Sequence, residues 1–151
     1  MLQEIGPGEN GFGNIAYGLS YSAYQEHLRL LERHAKGLGL TPDRVPQTTY
    51  WLMQADYPVG VSKLRHTLND TLRLQGGHIG YCIRPSVRGR GLGHTILQLT
   101  LHEAKSLGLS RVLLTVNEGN LASRRVIERS GGTLERIERT SGICYYWIEL
   151  V

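Results

Sequence analysis

The chain has 151 residues, 40% of them hydrophobic and 20% charged, with 17 Lys and Arg against 13 Asp and Glu. That is the composition of one soluble globular domain, long enough to bury a core without metal or disulfide staples. A net charge of +4 favours an anionic ligand but is too diffuse to make a nucleic-acid surface, and no apolar run is long enough to cross a bilayer. Cys82 and Cys144 have no paired spacing, which fits a reduced chain in the cytoplasm. The six histidines are scattered and form no metal-ligand cluster.

In chain order, residues 2–19 hold Gly6, Pro7, Gly8, Gly11, Gly13 and Gly18. They read as loop: either a wall of a binding site or a disordered tail. Leu28, Leu31 and Ala35 predict a helix from Ser22, its cap, to Lys36, stopped by Gly37 and Gly39. Thr48–Met53 and Val59–Arg65 read as two strands that pair antiparallel across a short connection. His78–Ile83 is a third strand, and a helix over 94–107 carries Leu97, Leu101 and Ala104 on one face. Val112–Val116 is an apolar strand that the crossover helix should set parallel to the third. A helix over Leu121–Ser130, capped by Asn120, and strands at 133–138 and 143–149 complete a single domain over 1–151. The fold class is α/β in the layered α+β sense, a mixed and mostly antiparallel central sheet flanked by helices.

Between the third strand and the following helix lies Arg88-Gly89-Arg90-Gly91-Leu92-Gly93. Glycines let the backbone approach a ligand closely, and the helix start offers free N–H groups and the positive end of its dipole. The result is an anion cradle suited to a pyrophosphate. A purely structural turn is the bland alternative. The alternating glycines do not match a dinucleotide loop, and Gly93-His94-Thr95 lacks the lysine of a triphosphate loop.

Arg88, Gly91 and Gly93 form an Arg-x-x-Gly-x-Gly pattern that resembles the coenzyme-A loop of the GNAT-type N-acetyltransferase superfamily. Upstream, Ile83-Arg84-Pro85 is similar to the end of that family's central strand. Downstream, Asn120-Leu121-Ala122-Ser123-Arg124 with Ser130-Gly131 resembles its second cofactor segment. The resemblance covers residues 48 to about 150. Within the superfamily, Gly77–Tyr81 and Asn120–Arg124 look most like a little-characterised bacterial group of predicted acetyltransferases.

The resemblance implies acetyl-CoA as cosubstrate and direct acetyl transfer to an amine of a small molecule or peptide. It implies that the third strand and its parallel neighbour splay apart, that pantetheine bonds the exposed backbone of Cys82, Ile83 and Arg84, and that the cofactor set also holds Arg88, Gly89, Arg90, Gly91, Leu92, Gly93, His94, Asn120 and Ser123. The family's usual tyrosine acid falls at Ile127, a departure that leaves a catalytically weak acyl-CoA-binding module as the alternative. Tyr145 and Tyr146 are the substitute acid candidates, with strand packing as their bland role. His78 is the base candidate because histidine titrates near working pH, with His66 and Asp70 behind it. The family's first strand is missing here, so the strand at 48–53 should be an unpaired edge open to a homodimer partner.

Overall fold

The computed structural model describes residues 1–150. A four-residue helix α1 (Leu2–Ile5) leads into a hairpin of β1 (Gly8–Glu9) and β2 (Phe12–Gly13), then α2 (Tyr21–Ala35). There follow β3 (Gln47–Gln54), β4 (Tyr57–Arg65), α3 (Asp70–Leu74), β5 (Ile79–Ile83) and a 3-10 turn at Pro85–Val87. The rest is α4 (Leu92–Ser106), β6 (Arg111–Asn117), α5 (Leu121–Arg129), β7 (Thr133–Glu138) and β8 (Ile143–Glu149). No helix among the described residues is long and apolar enough to cross a membrane.

The strands form two three-stranded antiparallel sheets, ordered β3-β4-β5 and β6-β8-β7. Helix α4 joins them. Its Ile96, Leu97, Thr100, Leu101 and Ala104 are buried at helical spacing, and Leu97 and Leu101 share one core with Leu64 and Ile79 of the first sheet and Val112, Leu114, Cys144 and Tyr146 of the second. The Thr100 hydroxyl lies 2.8 Å from the Ser62 hydroxyl and 2.8 Å from the Ile96 carbonyl, so both polar groups of this contact are satisfied inside the core.

Two expectations change. The helix at residue 21 is capped by Ser20, whose hydroxyl accepts from the Ala23 N–H at 3.3 Å, not by Ser22. The glycine-rich start is ordered. Asn10 and Gly11 sit between β1 and β2 with φ of 49° and 84°, the two left-handed residues of a tight hairpin turn. Ile5 is buried against Val61 and Cys82, and the Asn14 amide donates to the carbonyls of Leu2 and Gly6, at 2.7 Å each. As the resemblance implies, β5 and β6 splay apart instead of closing into a ladder, and each pairs only on its outer side. As expected, β3 has one neighbour, β4, and no described strand on its other edge.

β5 and β6 meet where β5 begins. The His78 N–H donates to the Leu113 carbonyl at 2.7 Å, and the Leu113 N–H donates to His78 Nδ1 at 2.9 Å. Gly77, at φ 61°, presses against β6 so closely that a Cβ there would lie 2.3 Å from the Leu113 oxygen. Replacing Gly77 with Ala combines left-handed strain with a backbone clash. We expect a loss of about 2–4 kcal/mol in chemical denaturation, whereas Gly119→Ala, with nothing within 4 Å, should change stability by less than about 0.5 kcal/mol.

Candidate active site

From that junction the two sheets open around a cleft of about 500 Å³. Strand β5 forms one wall with Ile79 to Ile83, β6 the other with Leu114 to Asn117, and the hairpin residues 9–13 close the front.

Ladder alternation decides which backbone groups face this cleft. The Arg65 N–H bonds to the His78 carbonyl at 2.8 Å and the Arg84 N–H to the Val59 carbonyl at 2.9 Å. The register runs Lys63 with Gly80 and Val61 with Cys82 between them. The backbones of Gly80, Cys82 and Arg84 are therefore committed to β4, and those of Tyr81 and Ile83 point into the gap. Of the three residues expected to bond the cofactor through the backbone, Ile83 alone faces the cleft with its main chain, and Arg88 Nε already donates to its carbonyl at 2.9 Å. On β6 the Leu150 N–H bonds to the Ser110 carbonyl, so the same alternation turns the main chain of Thr115 toward the gap.

The glycine loop caps the open end. Gly91, at φ 80°, is the N-cap of α4. The His94 and Thr95 N–H groups both bond to the Gly91 carbonyl, at 3.0 and 3.2 Å. No described partner takes the N–H groups of residues 89–93, and four of those residues, Gly89, Gly91, Leu92 and Gly93, line the cleft. Arg88, Gly89, Gly91, Leu92, Gly93 and His94 line the cleft. Arg90 does not, nor does Arg84, which is drawn away to the carboxylate of Glu4. The His94 backbone N–H is spent inside the helix, and its Nδ1 lies 3.1 Å from the Ser130 hydroxyl. At the second segment, the Asn120 side chain accepts from the Ser123 N–H at 3.2 Å and so starts α5, and Asn120 and Ser123 both line the cleft.

The three catalytic candidates lie outside the lining. His78 is 7% exposed, and its Nδ1 is occupied by the Leu113 N–H. Burial first, and then Arg73 and Arg65, lower its pKa to about 4, so it is a neutral structural acceptor at working pH. The Tyr145 hydroxyl donates to the Leu74 carbonyl at 2.6 Å. The Tyr146 hydroxyl donates to Glu128 at 2.7 Å and accepts from Arg124 Nε at 3.0 Å. Each has the bland role. Ile127 is a core residue, 2% exposed.

The structure brings other groups to the cleft. Tyr81 lines it, and its hydroxyl is buried without a hydrogen-bond partner. Burial raises its pKa, and the neighbouring Ser123 side chain opposes that shift. Among the lining residues the cations are Lys63, Arg65, Arg88, Arg125 and Arg129, against one carboxylate, Glu9. Glu9 is clasped by the Arg88 guanidinium and accepts from the Cys82 thiol at 3.5 Å. Burial and then Glu9 push the Cys82 thiol up to about 11, so it stays protonated and is a poor nucleophile. Asn10-Gly11 was the sequence signal for the hairpin that brings in Glu9, and two cations at alternate positions of a buried strand were the signal for Lys63 and Arg65.

A sheet that splays beside a glycine-rich anion cradle is the arrangement implied by the resemblance to the GNAT superfamily. The chain belongs to that family: the family model described as an acetyltransferase (GNAT) domain matches residues 18–133. Solved structures share the fold. The N-acetyltransferase PseH of Campylobacter jejuni, in complex with acetyl coenzyme A, is 14% identical with a TM-score of 0.59, covering 87% of this chain and 83% of that one. A Salmonella typhimurium protein solved with its cofactor acetyl-CoA is 16% identical with a TM-score of 0.58, covering 85% and 71%. Among curated proteins, mycothiol acetyltransferase of Mycobacteroides abscessus is 45% identical over 49 residues, which are 32% of this chain and 17% of that protein. The match thus spans less than a fifth of that relative's length.

The junction histidine makes stability depend on pH. Its folded pKa of about 4 lies below the ordinary 6.5, so its contribution is complete above pH 6.5 and is lost as pH falls from 6.5 toward 4. His27, His34 and His66 shift in the same direction, and a variant isolates the His78 share. His78→Gln keeps an acceptor for the Leu113 N–H without a titrating group. Its melting temperature should fall less than the wild type's between pH 7 and pH 4.5 in differential scanning calorimetry.

Proposed function

We propose that the protein is an acetyl-CoA-dependent N-acetyltransferase that passes an acetyl group directly to a primary amine of a small molecule or peptide. The observation that carries this reading is the set of unpartnered N–H groups at Gly89, Gly91, Leu92 and Gly93, which line the cleft together with the cations Arg88, Arg125 and Arg129. That set suits the phosphates of coenzyme A. The inward-facing backbone of Tyr81 and Ile83 supplies polar partners for a pantetheine arm. When bound, acetyl-CoA supplies an activated thioester.

The chain's residues then divide the work. Arg88, braced by Glu9 and the Ile83 carbonyl, and the N–H groups of Gly89, Gly91, Leu92 and Gly93 hold the pyrophosphate. The Tyr81 hydroxyl, protonated because burial raises its pKa, donates a proton to the departing thiolate, the task that Ile127 cannot perform. The incoming amine reacts as the free base, its proton leaving to solvent, because Glu9, the one carboxylate of the lining, is held in the Arg88 ion pair. Direct transfer agrees with the protonated Cys82 thiol.

Acetyl-CoA at about 100 times its Kd should stabilise the folded protein by about 2.7 kcal/mol. Gly91→Glu should abolish that shift, and Gly91→Ala, which carries the same backbone strain without the charge, should retain most of it. An undiminished shift in Gly91→Glu overturns the cradle. Tyr81→Phe should lower kcat at least about tenfold while acetyl-CoA affinity stays within about twofold. A Tyr81→Phe enzyme with full kcat removes the hydroxyl from the reaction. An acetyl-CoA complex that acetylates no amine would support the binding-module alternative.

A further inference from the structure

Lys63 and Arg65 occupy alternate positions of β4, so their side chains leave the same face of the sheet. Both line the cleft, at its closed end. Lys63 is the register partner of Gly80, and Arg65 Nη1 donates to the Gly76 and Gly77 carbonyls at 3.0 Å each, beside the junction. The phosphate cradle follows the other end of β5, about 17 Å of extended chain away. The pair therefore serves a different group from the one the cradle serves.

No carboxylate balances it. Glu9 is engaged by Arg88. The Lys63 ammonium donates to the Gly13 carbonyl at 2.6 Å and stands 4.5 Å over the Phe12 ring, both neutral partners. Burial and then Arg65 lower the Lys63 pKa to about 8. His27 is lowered by burial, then by Lys63 and His34, and His78 by burial, then by Arg73 and Arg65. The charged neighbours that these three groups sense are all cations. Two adjacent half-buried cations without a counter-ion carry an electrostatic cost that a bound anion removes. Donors remain to hold one: Nη2 and Nε of Arg65, and two of the three Lys63 protons. Thr49, the register partner of Lys63 on β3, has a buried hydroxyl without a partner, so this row of the sheet lacks one polar group.

We propose that the amine acceptor carries an anionic group, a carboxylate or a phosphate, and that Lys63 and Arg65 bind that group at the closed end of the cleft. The inference rests on the acetyl-transfer reading above and names the acceptor class for it. A compact amino acid or amino phosphate fits, and a polyamine, which brings more positive charge to a cationic end, does not.

The test uses matched acceptors with the full chain and acetyl-CoA: amino acids against their neutral amides, phosphoethanolamine against ethanolamine, and spermidine as the cationic extreme. The anionic member of a pair should have the higher kcat/KM, by about tenfold or more. Lys63→Met should raise KM for the anionic member far more than for the neutral one, cutting the ratio about tenfold, with the acetyl-CoA dissociation constant unchanged. Arg65→Lys, which keeps the charge and loses the fork, should fall between. A preference for neutral or cationic amines, or an equal loss for all acceptors in Lys63→Met, overturns the proposal. Calorimetry of acceptor binding without acetyl-CoA separates the two levels of failure. Binding of phosphoethanolamine that needs Lys63, in a protein that ignores acetyl-CoA, would keep the site and sink the transferase reading. Inorganic phosphate binding as tightly as phosphoethanolamine would assign the pair to a free anion and overturn the acceptor assignment.

Discussion

The contact between His78 and Leu113 is where one sheet becomes two. An imidazole nitrogen takes the Leu113 N–H that the next residue of a continuous ladder would have taken, and the Leu113 carbonyl takes the His78 N–H. The exchange satisfies both polar groups of Leu113 and leaves nothing to propagate pairing along β5. Gly77 makes this possible, because only a residue without Cβ allows the chain to lie against the Leu113 carbonyl. Beyond that point the facing backbone groups of β5 and β6 have no ladder partner, and of them the Ile83 carbonyl is taken by Arg88. In most folds such edges are a liability. Here they face each other across the cleft, which residues of α4 and α5 also line.

Electrostatics then divides the cleft along its length. At the open end the proposed phosphate cradle combines unpartnered main-chain N–H groups with Arg88, which Glu9 holds in place. At the closed end Lys63 and Arg65 face no acid. The N-terminal segment contributes to both ends. Glu4 accepts from the Ser86 N–H at 2.7 Å and pairs with Arg84, Glu9 reaches Arg88, and the Gly13 carbonyl takes the Lys63 ammonium. These contacts, more than 40 residues apart in sequence, make the glycine-rich start a wall of the site. Its hairpin turn needs the left-handed backbone that Asn10 and Gly11 adopt readily.

Local chemistry carried much of this in the sequence. Helix α4 follows from its apolar spacing, α5 from Asn120, and β3 and β4 from β-branched and aromatic runs, because caps, periodicity and turns act over a few residues. The cradle was legible for the same reason, since its glycines, the helix start and Arg88 are neighbours in the chain. The short helix α3, capped by Asn69, and the Ser20 cap were not legible, because a single turn of helix has no period to reveal it and Ser20 and Ser22 look alike before the chain direction is known.

The chain by itself therefore determined the family, the order of the elements and the glycine-rich loop that starts α4. Tertiary structure decided the roles of single side chains. His78, Tyr145 and Tyr146 carry the right chemistry for catalysis, yet each spends its polar atom on the fold, at Leu113, Leu74 and Glu128. Tyr81, Glu9, Lys63 and Arg65 are unremarkable in sequence and meet in one cleft. The reason is physical. What a titratable group does depends on its burial, its hydrogen-bond partners and the charges beside it, and those are set by residues brought together from distant parts of the chain.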